Sequence, residues 1–333
     1  MHPARAWRRV GNEIICQLCY HFCRLREGEF GRCEARFVKD GELYTLTYGN
    51  VSAMESRPME IKPFFHFLPG KTAITFSTYS CNLDCPWCQN WHLSKVSPPM
   101  SYSVVKPEEV VEKALIFGDV ATCASFNEPT LLYEYLLDLF PLAKSRGLFN
   151  TIVSNGYMTP LALKELVKAG LDAMNVDLKG DERVYRLCGG KAKNVLKTIK
   201  TAKKLGVHLE VVCLLITDLN DDEDSVRWVV ENHLKYAGDE VPLHFTRYFP
   251  AYLFKRPPTP VERIERAIEI AKREGVEFVY IGNVPGHTYE NTYCPNCGEL
   301  LIKRHSFRVI EVRLKNGRCW RCGREIYGFF IEE

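Results

Sequence analysis

The chain has 333 residues, 46% of them hydrophobic, and a formal net charge of +3. This length and apolar content exclude global disorder and allow one large domain or two to three smaller ones. So small a charge is too little to imply bulk nucleic-acid binding. No apolar run approaches the roughly 18 residues of a spanning helix. Met1–Arg9 is basic but is followed by no apolar stretch of signal-peptide length, which predicts a cytoplasmic protein without membrane association.

The N-terminal segment carries Cys16, Cys19, Cys23 and Cys33, four thiols within eighteen residues. They belong to a total of 14 cysteines, eleven of which fall in three tight groups. Clustering of this kind marks metal sites rather than a disulfide framework. Spacing leaves this first group open between zinc and an auxiliary [4Fe-4S] cluster.

From about residue 72 the chain alternates β-rich runs with helical patterns. Strands are expected at 73–77, 121–126, 150–154, 173–178, 208–216, 242–246 and 277–281. Helices are expected at 107–117, 131–145, 160–169, 192–205, 222–236 and 261–274. Pro107 followed by Glu108 and Glu109 suits a helix start, and Gly118, Gly147, Gly170, Gly206 and Gly275 suit helix ends. About six βα units, with no Gly-x-Gly-x-x-Gly after the first strand, predict a full or partial parallel barrel. Cys123 and Cys213 fall in apolar strands and read as small core residues, while Cys188 has no assigned role.

Parallel barrels carry their chemistry in the loops after the strands. After the first strand come Cys81, Cys85 and Cys88, spaced C-x3-C-x2-C. Three thiolates this close can hold three corners of a [4Fe-4S] cluster and leave the fourth iron open. Trp87 can shield one face of it from water. The rival is a zinc knuckle short of one ligand. After the next strands come Asn127-Glu128-Pro129, Ser154-Asn155-Gly156 and Asp177-Leu178-Lys179, and His244 lies on a later strand.

The C-terminal group, Cys294-x2-Cys297-x21-Cys319-x2-Cys322, has Gly298 and Gly323 after its two pairs. Two such knuckles complete a tetrahedral zinc site. Between and beside them lie Lys303, Arg304, Arg308, Arg313, Lys315, Arg318, Arg321 and Arg324. They either offset the thiolate charge or face RNA or an acidic protein, and the first reading is preferred.

Cys81-x3-Cys85-x-Trp87-Cys88 resembles the signature of the radical S-adenosylmethionine (SAM) superfamily. Cys88-Gln89-Asn90-Trp91, Phe126-Asn127-Glu128-Pro129-Thr130, Val176-Asp177-Leu178-Lys179-Gly180 and Tyr280-Ile281-Gly282-Asn283-Val284 resemble its pyruvate-formate-lyase-activating-enzyme-like branch. The resemblance is closest to the AmmeMemoRadiSam group, and both outer cysteine blocks share in it.

It implies an α/β fold, a partial (β/α)6-type barrel flanked by an N-terminal Cys-rich module and a C-terminal zinc ribbon. The expected boundaries are 1–60, 61–286 and 287–333. It implies an oxidoreductase that cleaves SAM to a 5′-deoxyadenosyl radical for hydrogen abstraction. Cys81, Cys85 and Cys88 would ligate the catalytic cluster. Asn127 and Glu128 replace the family's Gly-Gly-Glu segment, with Glu128 toward the SAM ammonium. Asn155 would make polar contacts to SAM. Asp177 and Lys179 match the D-x-K motif of glycyl-radical activases, a plain strand-end ion pair being the rival. His244 is a candidate for the ribose, a buried core histidine being as good a reading. Implied partners are SAM, a low-potential donor such as ferredoxin or flavodoxin, and a protein substrate. The alternatives are an RNA- or small-molecule-modifying radical SAM enzyme and a non-enzymatic zinc-binding adaptor.

Overall fold

A chain whose strands are apolar on both faces has to cover both faces. Ala121–Ala124 is fully buried and His208–Leu215 nearly so. In the computed structural model, which describes residues 1–331, these strands lie inside an eight-stranded sheet. We number its strands β1 (Ala53–Pro58), β2 (Thr72–Ser77), β3 (Ala121–Ala124), β4 (Phe149–Ser154), β5 (Ala173–Asp177), β6 (His208–Leu215), β7 (Leu243–Arg247) and β8 (Val279–Gly282). They run in sequential order across the sheet. From β2 to β8 all pairings are parallel, and β1 runs antiparallel along β2. Since β1 and β8 are edges, the barrel is partial.

The crossovers are α1 (Pro107–Phe117), α2 (Tyr133–Ser145), α3 (Pro160–Ala169), α4 (Ala192–Lys204), α5 (Glu223–Tyr236) and α6 (Val261–Arg273). Six βα units therefore precede the last strand, as the alternation predicts. Local chemistry sets their ends. Glu109 accepts from the Lys106 N–H at 2.8 Å at the start of α1, and Gly118 closes it with φ 71°. Thr159 caps α3 by accepting from the Ala162 N–H at 3.3 Å, with Pro160 in the first turn. Each helix packs on the next, and their apolar faces share one core with the sheet.

Some boundaries differ from expectation. The strand after α1 stops at Ala124 rather than residue 126, because Phe126 turns to φ 68°. Two short helices, Trp91–Ser94 and Glu182–Leu187, carry too few residues to show a period and were not expected. Strand β1 lies on the N-terminal side of the expected boundary at residue 60, yet it pairs along its full length with β2.

The N-terminal segment forms two small antiparallel sheets, one from His2–Pro3, Arg36–Lys39 and Glu42–Thr45, the other from Trp7–Val10, Glu13–Cys16 and Arg24–Leu25. A buried ion pair between Arg36 and Glu134 of α2 fastens this segment to the barrel. The C-terminal segment packs through Phe329, whose carbonyl accepts from the Leu68 N–H at 2.9 Å. Arg304 is buried there, not part of a basic surface. Its guanidinium lies 4.3 Å from the Phe65 ring centre and donates to the Phe65 carbonyl at 2.7 Å.

Candidate active site and outer thiol clusters

Cys81 follows β2 after a short loop that a neighbouring loop clamps. Asn127 Nδ2 donates to the Ser80 carbonyl at 2.8 Å, and Asn127 Oδ1 accepts from the Thr78 N–H at 3.3 Å. Asn90 Nδ2 donates to the Phe126 carbonyl at 2.5 Å. Ser80 and Phe126 both adopt positive φ, 69° and 68°. Left-handed residues cost on the order of 1 kcal/mol or more each, and persist where surrounding bonds over-determine them. Here the Asn127 and Asn90 side chains supply those bonds.

The three thiols stand near enough for their charges to act on one another. Burial pushes the Cys81 thiol well above its ordinary range, and Glu128, Cys85 and Cys88 add to the push. Cys85 is instead held down at about 7, first by the thiol of Cys188 and then, against burial, by Lys179 and Lys95. So crowded a set of thiols, with cations beside it, suits a cationic metal centre that takes thiolates.

Asn155, at the end of β4, reaches across to this loop. Its Nδ2 lies 3.5 Å from Cys81 Sγ and 2.8 Å from Asn82 Oδ1. Its backbone N–H donates to Glu128 Oε2 at 2.8 Å. Glu128 is only 1% exposed. Its other oxygen accepts from the Thr130 N–H and from Ser154 Oγ, each at 2.9 Å, and from Thr130 Oγ1. Four donors thus occupy a carboxylate expected to meet a ligand ammonium. In this structure Glu128 braces the loops after β3 and β4, and its charge is felt at Cys81.

Asp177, the last residue of β5, and Lys179 form an ion pair at 2.7 Å. Burial alone would lower the Lys179 ammonium, but Asp177, Cys85 and Cys188 together hold it well above its usual range. The pair therefore stands beside the thiols. Trp87 is buried and meets Phe254 edge-on, with ring centres 5.6 Å apart. It packs the underside of the loop.

His244 is not brought to this site. It is buried, bonds Glu210 at 2.7 Å, stacks on Tyr280 and meets Phe65 edge-on. Glu210 also takes the N–H groups of Phe65 and His66, at 3.0 and 2.8 Å. These partners belong to the segment before β2 that also carries the Arg304 contact. The core-histidine reading describes its surroundings.

Sequence reasoning missed Cys188 and Lys95. Cys188 ends the helix Glu182–Leu187, and its carbonyl accepts from the Asp84 N–H at 2.8 Å. Lys95 pairs with Asp84 at 2.6 Å. A lone cysteine more than a hundred residues away gives no sequence signal. Cys123 and Cys213 are fully buried core residues, as expected.

The C-terminal thiols close tightly. Cys294 and Cys322 Sγ are 3.6 Å apart, Cys297 and Cys319 Sγ 3.7 Å, and all four lie within 4.8 Å of one another. A tetrahedron with Zn–S bonds of about 2.3 Å has edges of about 3.8 Å. This geometry can hold one metal ion and is compatible with a zinc ribbon. Gly298 and Gly323, at φ 73° and 75°, make the two knuckle turns. Most nearby cations are paired: Arg313 with Glu311, Arg318 with Glu325, Arg321 with Glu299 and Arg324 with Glu277.

A family model described as the radical SAM superfamily matches residues 75–229. An uncharacterised protein of Methanocaldococcus jannaschii is 40% identical over 320 residues, 95% of this chain and 95% of its own. A putative glycyl-radical enzyme activating enzyme of the same organism is 29% identical over 238 residues, 68% of this chain and 92% of its own. A crystal structure of a radical SAM methyltransferase from Sphaerobacter thermophilus aligns with a TM-score of 0.49 at 16% identity, over 70% of this chain and 71% of that one. Among the described residues, no helix is long and apolar enough to cross a membrane.

Proposed function

Because the chain belongs to the radical SAM superfamily, we propose that Cys81, Cys85 and Cys88 hold a [4Fe-4S] cluster beside bound SAM, for hydrogen abstraction from a substrate. The observation that carries this is the triad's setting. Three neighbouring thiols stand at the mouth of a parallel barrel, clamped by Asn127 and Asn155 and flanked by Lys95 and Lys179. The cluster, when bound and reduced, supplies the low-potential electron that breaks the SAM sulfonium bond.

The chain's own residues do the rest. Asn155 donates toward one ligating sulfur and so steadies its charge. Lys179 and Lys95 offset the thiolates' negative charge at Cys85. Buried Trp87 and the segment through Phe254 keep water from one side of the loop, which a radical reaction requires. Asn127 and Asn155 offer the polar edges for SAM. Glu128 acts on an incoming ammonium through its field and the one lone-pair side left on Oε2.

A protein substrate, attacked as an activase attacks its partner, is the preferred class. The Asp177–Lys179 pair beside Cys85 and the likeness to a putative activating enzyme support it. The ribbon's ion-paired cations give an RNA substrate less support. The C-terminal thiols hold zinc, and a ferredoxin- or flavodoxin-type protein delivers the electron in the cytoplasm.

Anaerobic protein reduced with dithionite in the presence of SAM should release 5′-deoxyadenosine. Cys85→Ala should abolish that release. If the wild type yields none, or the variant yields as much, the proposal fails. Cys188→Ala should keep both the cluster iron and SAM cleavage. Loss of iron in that variant would mean that a fourth thiolate closes the site.

A further inference from the structure

The N-terminal thiols converge on a chamber of their own. Cys16, Cys19, Cys23 and Cys33 line one small pocket. Cys16 and Cys19 are buried. Arg32 and Arg36 line the same pocket. Gly31 leaves the wall open. A methyl group there would touch both Cys23 Sγ, at 3.8 Å, and Cys33 Sγ, at 3.9 Å.

We infer that Cys16, Cys19, Cys23 and Cys33 close a second [4Fe-4S] cluster, seated against the loop that carries Cys81. Width is the first reason. Among the described residues, the set drawn within 4.8 Å is the C-terminal one. The N-terminal thiols stand wider than that, as a cubane needs, since it holds its thiolates about 6 Å apart. A single zinc ion would draw them to about 3.8 Å. Donors to sulfur are the second. Arg36, 1% exposed, places Nη1 3.8 Å from Cys16 Sγ, and the Arg32 N–H lies 3.5 Å from Cys23 Sγ. Such contacts stabilise the excess negative charge of a cluster with four thiolates.

Adjacency gives the site its use, and this part rests on the proposed function. Ser80 Oγ donates to the Cys33 carbonyl at 2.5 Å, and Ser80 is bonded to Cys81. Asn82, on the other side of Cys81, lines the chamber, and its carbonyl bonds His21 Nε2 at 2.6 Å. One hydrogen bond and one peptide unit thus join a ligand of one centre to a ligand of the other. The chamber cluster accepts one electron from an external low-potential one-electron donor and passes that electron to the triad's cluster.

Metal and sulfide analysis of anaerobically reconstituted full-length protein tests the site. The expected content is about eight irons, eight sulfides and one zinc per chain. About four irons with two zincs, or about four irons with one zinc, overturns it. The triple variant Cys81→Ala, Cys85→Ala, Cys88→Ala leaves the chamber intact and should keep about four irons with a dithionite-reduced electron paramagnetic resonance signal. A variant without iron overturns the inference whether or not SAM is cleaved by the wild type. Wild type that fails to cleave SAM while this variant keeps its iron would sink only the proposed function. In the fully reduced wild type the two spins should broaden each other, and a spectrum equal to the sum of two isolated centres would remove the electron path.

Discussion

Asn155 Nδ2 lies 3.5 Å from Cys81 Sγ, joining the end of β4 to the cysteine loop after β2. The same residue donates its backbone N–H to Glu128 and, through Oδ1, accepts the Tyr157 N–H at 2.9 Å. A single buried residue therefore couples three barrel loops to one ligating sulfur.

Asn155→Ala should lower cluster retention or SAM cleavage by roughly 10- to 100-fold, the usual cost of losing a partner to a metal ligand. Asn155→Asp should be worse, since it sets a second carboxylate beside Glu128 and Cys81. Iron content and 5′-deoxyadenosine yield measure both. An aspartate variant that outperforms the alanine variant would show that the contact is not charge-sensitive.

Arg36 and Glu134 form a buried ion pair between the N-terminal segment and α2. Glu134 also accepts the Arg5 N–H at 2.7 Å. Arg36→Met should cost about 3–5 kcal/mol in urea unfolding, because it strands a buried carboxylate. Adding Glu134→Leu should recover much of that loss. A double variant no more stable than the single one would contradict this account.

His233 on α5 is fully buried, and its Nε2 bonds the Val241 carbonyl at 2.9 Å. Burial holds it neutral, pushed down to about 4. The unfolded imidazole binds a proton near its ordinary pKa of about 6.5. Its contribution is therefore complete above about 6.5 and is lost as the pH falls toward about 4, at about 1.4 kcal/mol per pH unit. His66, pushed down to about 3 by burial, adds to the same acid-side loss. In thermal melts between pH 6.5 and 4.5, His233→Gln should show a shallower slope than wild type. Identical slopes would rule out this source.

The four C-terminal thiols cover a small core of Phe65, Leu301, Ile302 and Ile326. Cys297→Ala, or a strong chelator, should strip the metal and add an early transition in calorimetry. Structural zinc contributes on the order of 10 kcal/mol in small modules, most of which such a short segment needs. Unchanged metal content in the variant would refute the four-ligand assignment.

Much of the protein was legible in its sequence because the signals are local. Alternating apolar runs and helix-end chemistry determine the βα order, and the C-x3-C-x2-C, paired C-x2-C and C-x2-C-x3-C-x9-C spacings mark three thiol groups. What the tertiary structure decided concerns groups far apart in the chain. It enclosed Glu128 among four donors, set His244 against Glu210 and turned Arg304 inward onto Phe65. It also brought Cys188 to Cys85 and Cys33 to Ser80. Spacing along a chain reports which atoms can share one ligand; only packing reports which polar groups are already satisfied and which clusters touch, since burial and hydrogen bonding depend on neighbours that the local sequence does not contain.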